Sequence, residues 1–135
     1  MQYQDFIQRV QETGRLIQEA HFKEAVDALY QLYLSDISDV DKADICANLA
    51  FVYDRLGSTP EAMDWFEKGI VIEQNYCLYK VSEKKAQYLS QLGHSDQAAT
   101  IYESLIQQPF VSEGEKDRMR KTIQTYLGKA VRGWQ

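Results

Sequence analysis

Apolar residues along this chain recur at the three- and four-residue intervals of amphipathic helices. In ADICANLAFVYDRLG, Cys46, Leu49, Ala50, Tyr53 and Leu56 fall on one face, the pattern of a half-buried helix. The segment that follows, TPEAMDWFEKGI, places Ala62, Phe66 and Ile70 in the same way. Between them, LGSTPEA supplies stop and start signals. Gly57 suits the left-handed conformation that closes a helix. Ser58 with Glu61 has the capping-box pattern, and Pro60 falls in the first turn, where its missing N–H costs nothing. LGHSDQA repeats this arrangement with Ser95 or Asp96 as the cap. The spacing predicts two antiparallel helices, with Ala50 and Ala62 small where the pair must approach closely.

This unit is repeated. EAVDALYQLYL (24–34), EAMDWFEKGIV (61–71) and QAATIYESLIQ (97–107) align without gaps, and Ala25, Ala62 and Ala98 are each followed four residues on by Leu29, Phe66 and Tyr102. The alanines are 37 and 36 residues apart, a spacing typical of stacked helical repeats. Each segment follows a second amphipathic stretch, beginning with FIQRVQETGRLI and ending with KVSEKKAQYLSQLG. Past Pro109, Ser112 and Glu115 form another capping-box pattern, and Met119, Ile123, Tyr126, Leu127 and Ala130 make an apolar stripe. The prediction is seven helices in one domain over 1–135: three pairs at 6–36, 43–75 and 79–110, then a capping helix at 112–131.

The second unit resembles the tetratricopeptide repeat family through Leu49-Ala50, Tyr53, Gly57, Ala62, Phe66 and Gly69-Ile70. The third keeps Ala86, Leu89, Gly93, Ala98 and Tyr102. The first keeps Thr13-Gly14, Ile17, Ala25 and Leu29, with its inter-helix turn one residue shorter. The resemblance implies an all-α fold, a right-handed α-solenoid of three antiparallel helix hairpins plus a C-terminal capping helix. It also implies a concave groove, lined by the first helix of each pair, that binds a peptide or a partner helix. In this register the groove carries Gln11, Arg15, Asn48, Phe51, Arg55, Lys80, Lys84 and Gln87, with Asp44 and Glu83 beside them. Asn48, Lys80 and Lys84 occupy positions similar to a clamp that one branch of the family uses on acidic C-terminal tails. Gln11 and Arg15 stand where that clamp has a lysine and an asparagine. What the resemblance implies is a basic-polar strip for an acidic segment, with charge-assisted hydrogen bonds to its carboxylates.

Charge narrows the partners. A net charge of −5 over 135 residues argues against nucleic acid, which selects a basic face. The basic residues Lys116, Arg118, Arg120, Lys121, Lys129 and Arg132 face only Asp117 from position 116 onward. That asymmetry supports a second reading, a self-associating scaffold or homodimer whose basic last helix docks on an acidic face. The start, MQYQDFIQRVQETG, has neither a basic leader nor an apolar run, and no stretch has the length of a membrane span. Cys46 and Cys77 form no CxxC, so reduced thiols and a cytoplasmic location are expected.

No motif of catalysis accompanies the repeat: there is no GxSxG, HExxH, GxxxxGK[ST] or dinucleotide fingerprint. His21 and His94 fall in turns two repeats apart. Asp36, Asp39, Asp41 and Asp44 read as acids at a helix start, where the dipole favours them, without the glycine and spacing of a calcium loop. The expectation is a non-catalytic protein-binding module with no cofactor or metal.

Overall fold

A computed structural model describes residues 1–126, which form seven α-helices and no strand. These are α1 (Tyr3–Gln18), α2 (Phe22–Leu34), α3 (Asp39–Arg55), α4 (Thr59–Gln74), α5 (Lys80–Gln91), α6 (Ser95–Ile106) and α7 (Glu113–Tyr126). They pack as neighbours in sequence. In one compact unit, Met1–Val81, α1 lies on α2, α2 on α3 and α3 on α4. In a second unit, which begins at Ser82, α6 lies on α7. Leu127 and Ala130 of the expected apolar stripe, the basic residues Lys129 and Arg132, and the expected helix end at 131 lie outside the described residues.

The turns explain the repeat. Ala20, Gly57 and Gly93 all have left-handed backbone, with φ of 61°, 79° and 86°. In each turn the next residue's amide (His21, Ser58, His94) donates to the carbonyl five residues back, at 2.8, 2.9 and 2.8 Å. The left-handed residue itself donates to the carbonyl three back. This is the Schellman arrangement, which satisfies carbonyls that a helix end leaves orphaned. Each of these turns places three residues between helices, so the first is not shortened as expected. The register difference lies within α1 instead. Thr13, not Gly14, sits seven residues before the left-handed turn, where the later repeats have Ala50 and Ala86. Thr13, Ala50 and Ala86 are all buried, whereas Gly14 is exposed. Thr13 tolerates burial because its hydroxyl donates to the Arg9 carbonyl at 2.9 Å.

The tight turns also correct the expected caps. Ser58 and His94 each end one Schellman motif and stand at the N-cap of the next helix, and neither side chain makes a cap hydrogen bond. Their backbones (φ −103°, ψ 74° and φ −92°, ψ 57°) are outside the extended region from which an N-cap side chain reaches forward. Neither the Ser58–Glu61 box nor a Ser95 or Asp96 cap therefore forms. Where the connection is longer, caps do form: Ser38 Oγ accepts from the Asp41 amide at 3.1 Å and Ser112 Oγ from the Glu115 amide at 3.2 Å.

Burial on α3 is broader than a single stripe. Ala43, Ile45, Cys46, Ala47, Leu49, Ala50 and Val52 are all buried, because α2 and α4 both pack against this helix. Tyr53 is only half-buried and Leu56 is exposed, contrary to the expected face. On α4 the buried set is Ala62, Trp65, Phe66, Gly69 and Glu73, with Ile70 half-buried. A Cβ on Gly69 would lie 3.0 Å from Val81 Cγ1, 3.1 Å from Cys46 Cβ and 3.2 Å from the Ala43 carbonyl oxygen. Four residues on, Glu73 is 3% exposed and its Oε1 accepts the Val81 amide at 2.6 Å. It thereby supplies an acceptor to the first turn of α5. A fourth left-handed residue, Cys77 (φ 54°), closes α4, and the Leu78 amide donates to the Glu73 carbonyl at 3.1 Å.

The second unit buries Ala86, Tyr88 and Leu89 of α5, Ala98, Ala99, Tyr102, Leu105 and Ile106 of α6, and Met119 and Ile123 of α7.

Two substitutions test this account by their urea midpoints. Gly69→Ala is expected to destabilise the chain by about 1–3 kcal/mol, the usual cost of overpacking a close contact. Ala20→Gly is expected to be neutral or mildly stabilising, because a Cβ in left-handed backbone costs about 1–2 kcal/mol while glycine costs roughly 0.5–1 in chain entropy.

Candidate functional site

One face of α3 escapes its two neighbours. Asp44, Asn48, Phe51 and Arg55 recur at i, i+4, i+7 and i+11 and form a ridge open to solvent, Phe51 being 48% exposed and Arg55 also exposed. Within the same unit Gln11 and Arg15 are exposed on α1 and Lys80 is exposed at the start of α5. Lys80 Nζ lies 3.4 Å from Asp44 Oδ1. This pair is largely in water and so is of little energetic weight. The Arg55 guanidinium is 5.5 Å from the centre of the Phe51 ring and 5.9 Å from that of Phe22. Among the described residues neither Arg15 nor Arg55 meets a carboxylate.

Of the eight groove residues expected from sequence, six therefore belong to the first unit, and Lys84 and Gln87 to the second. Lys84 is half-buried, whereas Gln87 is exposed and borders a cavity of 320 Å³ with Ala86, Ser90, Gln91, Tyr102, Arg118 and Thr122. Arg118 is already matched there. Its Nη2 donates to Glu83 Oε1 at 2.8 Å and its side chain also holds Glu115. Hydrogen bonding to Arg118 keeps the Glu115 carboxyl below its usual range, and the two carboxylates push the guanidinium pKa up. Burial raises the Tyr102 hydroxyl, with the charge on Glu83 adding to it. The site at this end is polar without being an anion trap.

Sequence reasoning missed an aromatic group that links α2, α3 and α4. Tyr33 and Trp65 meet edge to face at 5.1 Å, Tyr30 and Trp65 at 6.0 Å. Lys68 Nζ stands 4.1 Å from the centre of the Trp65 ring and Lys42 Nζ 5.9 Å from that of Tyr33. Trp65 is 7% exposed, so this group seals the rim of the core, each ring pair adding about 0.5–1.5 kcal/mol beyond its buried area. Cys46 lies in this region, and burial pushes its thiol up to about 11. Phe22 was also missed. Only the packing of the α1–α2 turn against the end of α3 brings it near Arg55.

Among the described residues, no three or more His, Cys, Asp or Glu side chains gather so that they could hold a metal ion. Two of the acids near the start of α3 are separately engaged, Asp39 Oδ2 accepting the Tyr76 hydroxyl at 2.6 Å and Asp44 pairing with Lys80. His21 and His94 are exposed at the N-caps of α2 and α6. No described helix is long and apolar enough to cross a membrane.

Fold and surface together define an all-helical protein of repeated hairpins joined by left-handed turns. Residues 11–94 match the model of DUF6340, a family described as a domain of unknown function, and the chain belongs to that family. The match runs from within α1 to the third left-handed turn. No curated protein and no solved structure matches the chain.

The two free thiols give a direct check on the packing. At pH 8 a thiol reagent is expected to modify exposed Cys77 quickly and buried Cys46 only after denaturation. Fast modification of both in the folded chain would contradict the burial of Cys46 beneath α4.

Proposed function

We propose that the hairpins stack as a right-handed α-solenoid of the tetratricopeptide type, three pairs closed by α7. In this reading the chain is a non-catalytic protein-interaction module whose concave groove takes an acidic peptide or helix. Supporting the solenoid, one three-residue left-handed turn occurs at Ala20, Gly57 and Gly93, spaced by 37 and 36 residues. Each turn has a buried small residue seven positions before it and a buried alanine five positions after it. Units of this kind cannot bury their apolar faces alone, and stacking supplies the missing partner.

The observation that carries the binding function is the α3 ridge. There an aromatic ring left half in water lies beside Arg55, a cation that meets no carboxylate among the described residues. It fits a surface where apolar contact provides affinity and charge selects the partner. We place the module in the cytoplasm, where its two free thiols would stay reduced.

The self-association reading draws less support. Within α7, Glu113–Tyr126, four basic residues face three acids. Lys116 pairs with Glu113, Arg118 with Glu115 and Glu83, and Arg120 with Asp117. The described part of this helix thus offers little net positive charge to a second copy.

The double charge reversal Lys80→Glu/Lys84→Glu tests the groove. Wild type should retain an acidic partner from native cell extract, and the variant should lose it while keeping a melting temperature close to wild type, neither lysine being fully buried. Equal retention by both forms would count against the groove.

A further inference from the structure

We infer that the turn-side end of the α3 ridge is an anchor for a peptide segment that presents an aliphatic side chain next to a carboxylate. This rests on the groove reading and specifies where the ligand is gripped and by what chemistry. Phe51 and Arg55 are one helical turn apart, and the Arg55 guanidinium lies 5.5 and 5.9 Å from the rings of Phe51 and Phe22. Close to two rings, the flat cation has less side-chain freedom to lose on pairing. With no carboxylate on it among the described residues, its forked N–H donors remain open to a bidentate acceptor.

Beside it is a hollow of 320 Å³ formed by Ala20, His21, Phe22, Lys23, Glu24 and Leu56. That is the lower end of the ~300–1,000 Å³ range of ligand pockets, room for a side chain rather than a large molecule. Its apolar walls are Phe22, Ala20 and the exposed Leu56. Glu19 and Glu24 both incline to His21, at 3.7 and 3.6 Å. Lys23 and Arg55 are thereby left as the cations available to an incoming group. A purely apolar ligand would cover Arg55 without pairing it, a costly desolvation. A purely anionic one would leave the hollow unfilled. A carboxylate adjoining a leucine-like side chain satisfies both.

The probe is the peptide acetyl-Glu-Leu-Glu-Leu-Glu-amide, titrated into the isotope-labelled full chain and followed by amide chemical shifts, with the Gln-for-Glu peptide as control. The expected result is a perturbation centred on Phe22, Phe51, Arg55 and Leu56. Arg55→Gln should weaken binding by roughly tenfold or more, the loss of a charge-assisted hydrogen bond. Phe51→Ala should weaken it as well, and both variants alter exposed side chains, so their spectra should otherwise stay as wild type. Shifts that gather instead around Gln11 and Lys80, unaffected by Arg55→Gln, would overturn the anchor while leaving the groove standing. Equal binding of the neutral peptide, or no shifts at all, would overturn the inference outright.

Discussion

The close approach of α4 to α3 at Gly69 is the contact on which the first unit depends. No side chain fits there: a Cβ would press on the Ala43 carbonyl, the Cys46 Cβ and the Val81 side chain together. Two of those three neighbours are backbone or Cβ atoms that cannot rotate away. Helix separation follows the residues at the crossing, so this point draws α4 inward. Trp65 and Phe66 on the preceding turn are then placed against the core, where both are buried. The same approach brings Val81 under Gly69, one residue past the start of α5. A single missing side chain thus coordinates three helices.

Because α3 is held from both sides, little of its middle remains outside. The ridge Asp44–Asn48–Phe51–Arg55 runs along a side that α2 and α4 leave uncovered. Its polarity is consistent with that position. Its one ring, Phe51, is 48% exposed, with the Arg55 guanidinium 5.5 Å from its centre. The aromatic group at the other rim has the opposite character: there the rings of Tyr33 and Trp65 face each other, and lysines cover them.

The hairpins were legible in the sequence because glycine at 57 and 93 and alanine five positions later report two physical demands, left-handed backbone and close packing. The first hairpin was harder to read for the same reason. Ala20 adopts the left-handed conformation with a Cβ in place, so no glycine marks the turn, and Gly14 suggested itself for the small buried position that Thr13 takes. Helical periodicity reports one buried face, which is why Ile45, Ala47 and Val52, buried by a second neighbour, were not anticipated. The capping signal at Ser58 failed because a residue that completes one Schellman turn does not have the extended backbone a capping side chain needs, and that at Ser95 because His94 takes the N-cap position and Ser95 already lies inside α6. Of the site, the exposed residues of α3 could be ordered by spacing alone. The approach of Arg55 to the Phe22 ring could not, since it joins residues 33 positions apart through a tertiary contact.

Glu73 uses two of its oxygens on one connection. Its main-chain carbonyl completes the turn that ends α4, and its carboxylate receives the first turn of α5. The heading of α5 is therefore coupled to the way α4 stops, as though the intervening residues were a bracket of set length. Evolution could vary the side chains along that bracket freely, but an inserted or deleted residue would pull one oxygen off its donor. Length variation among relatives should accordingly gather in the looser connection before Ser38 and spare this one.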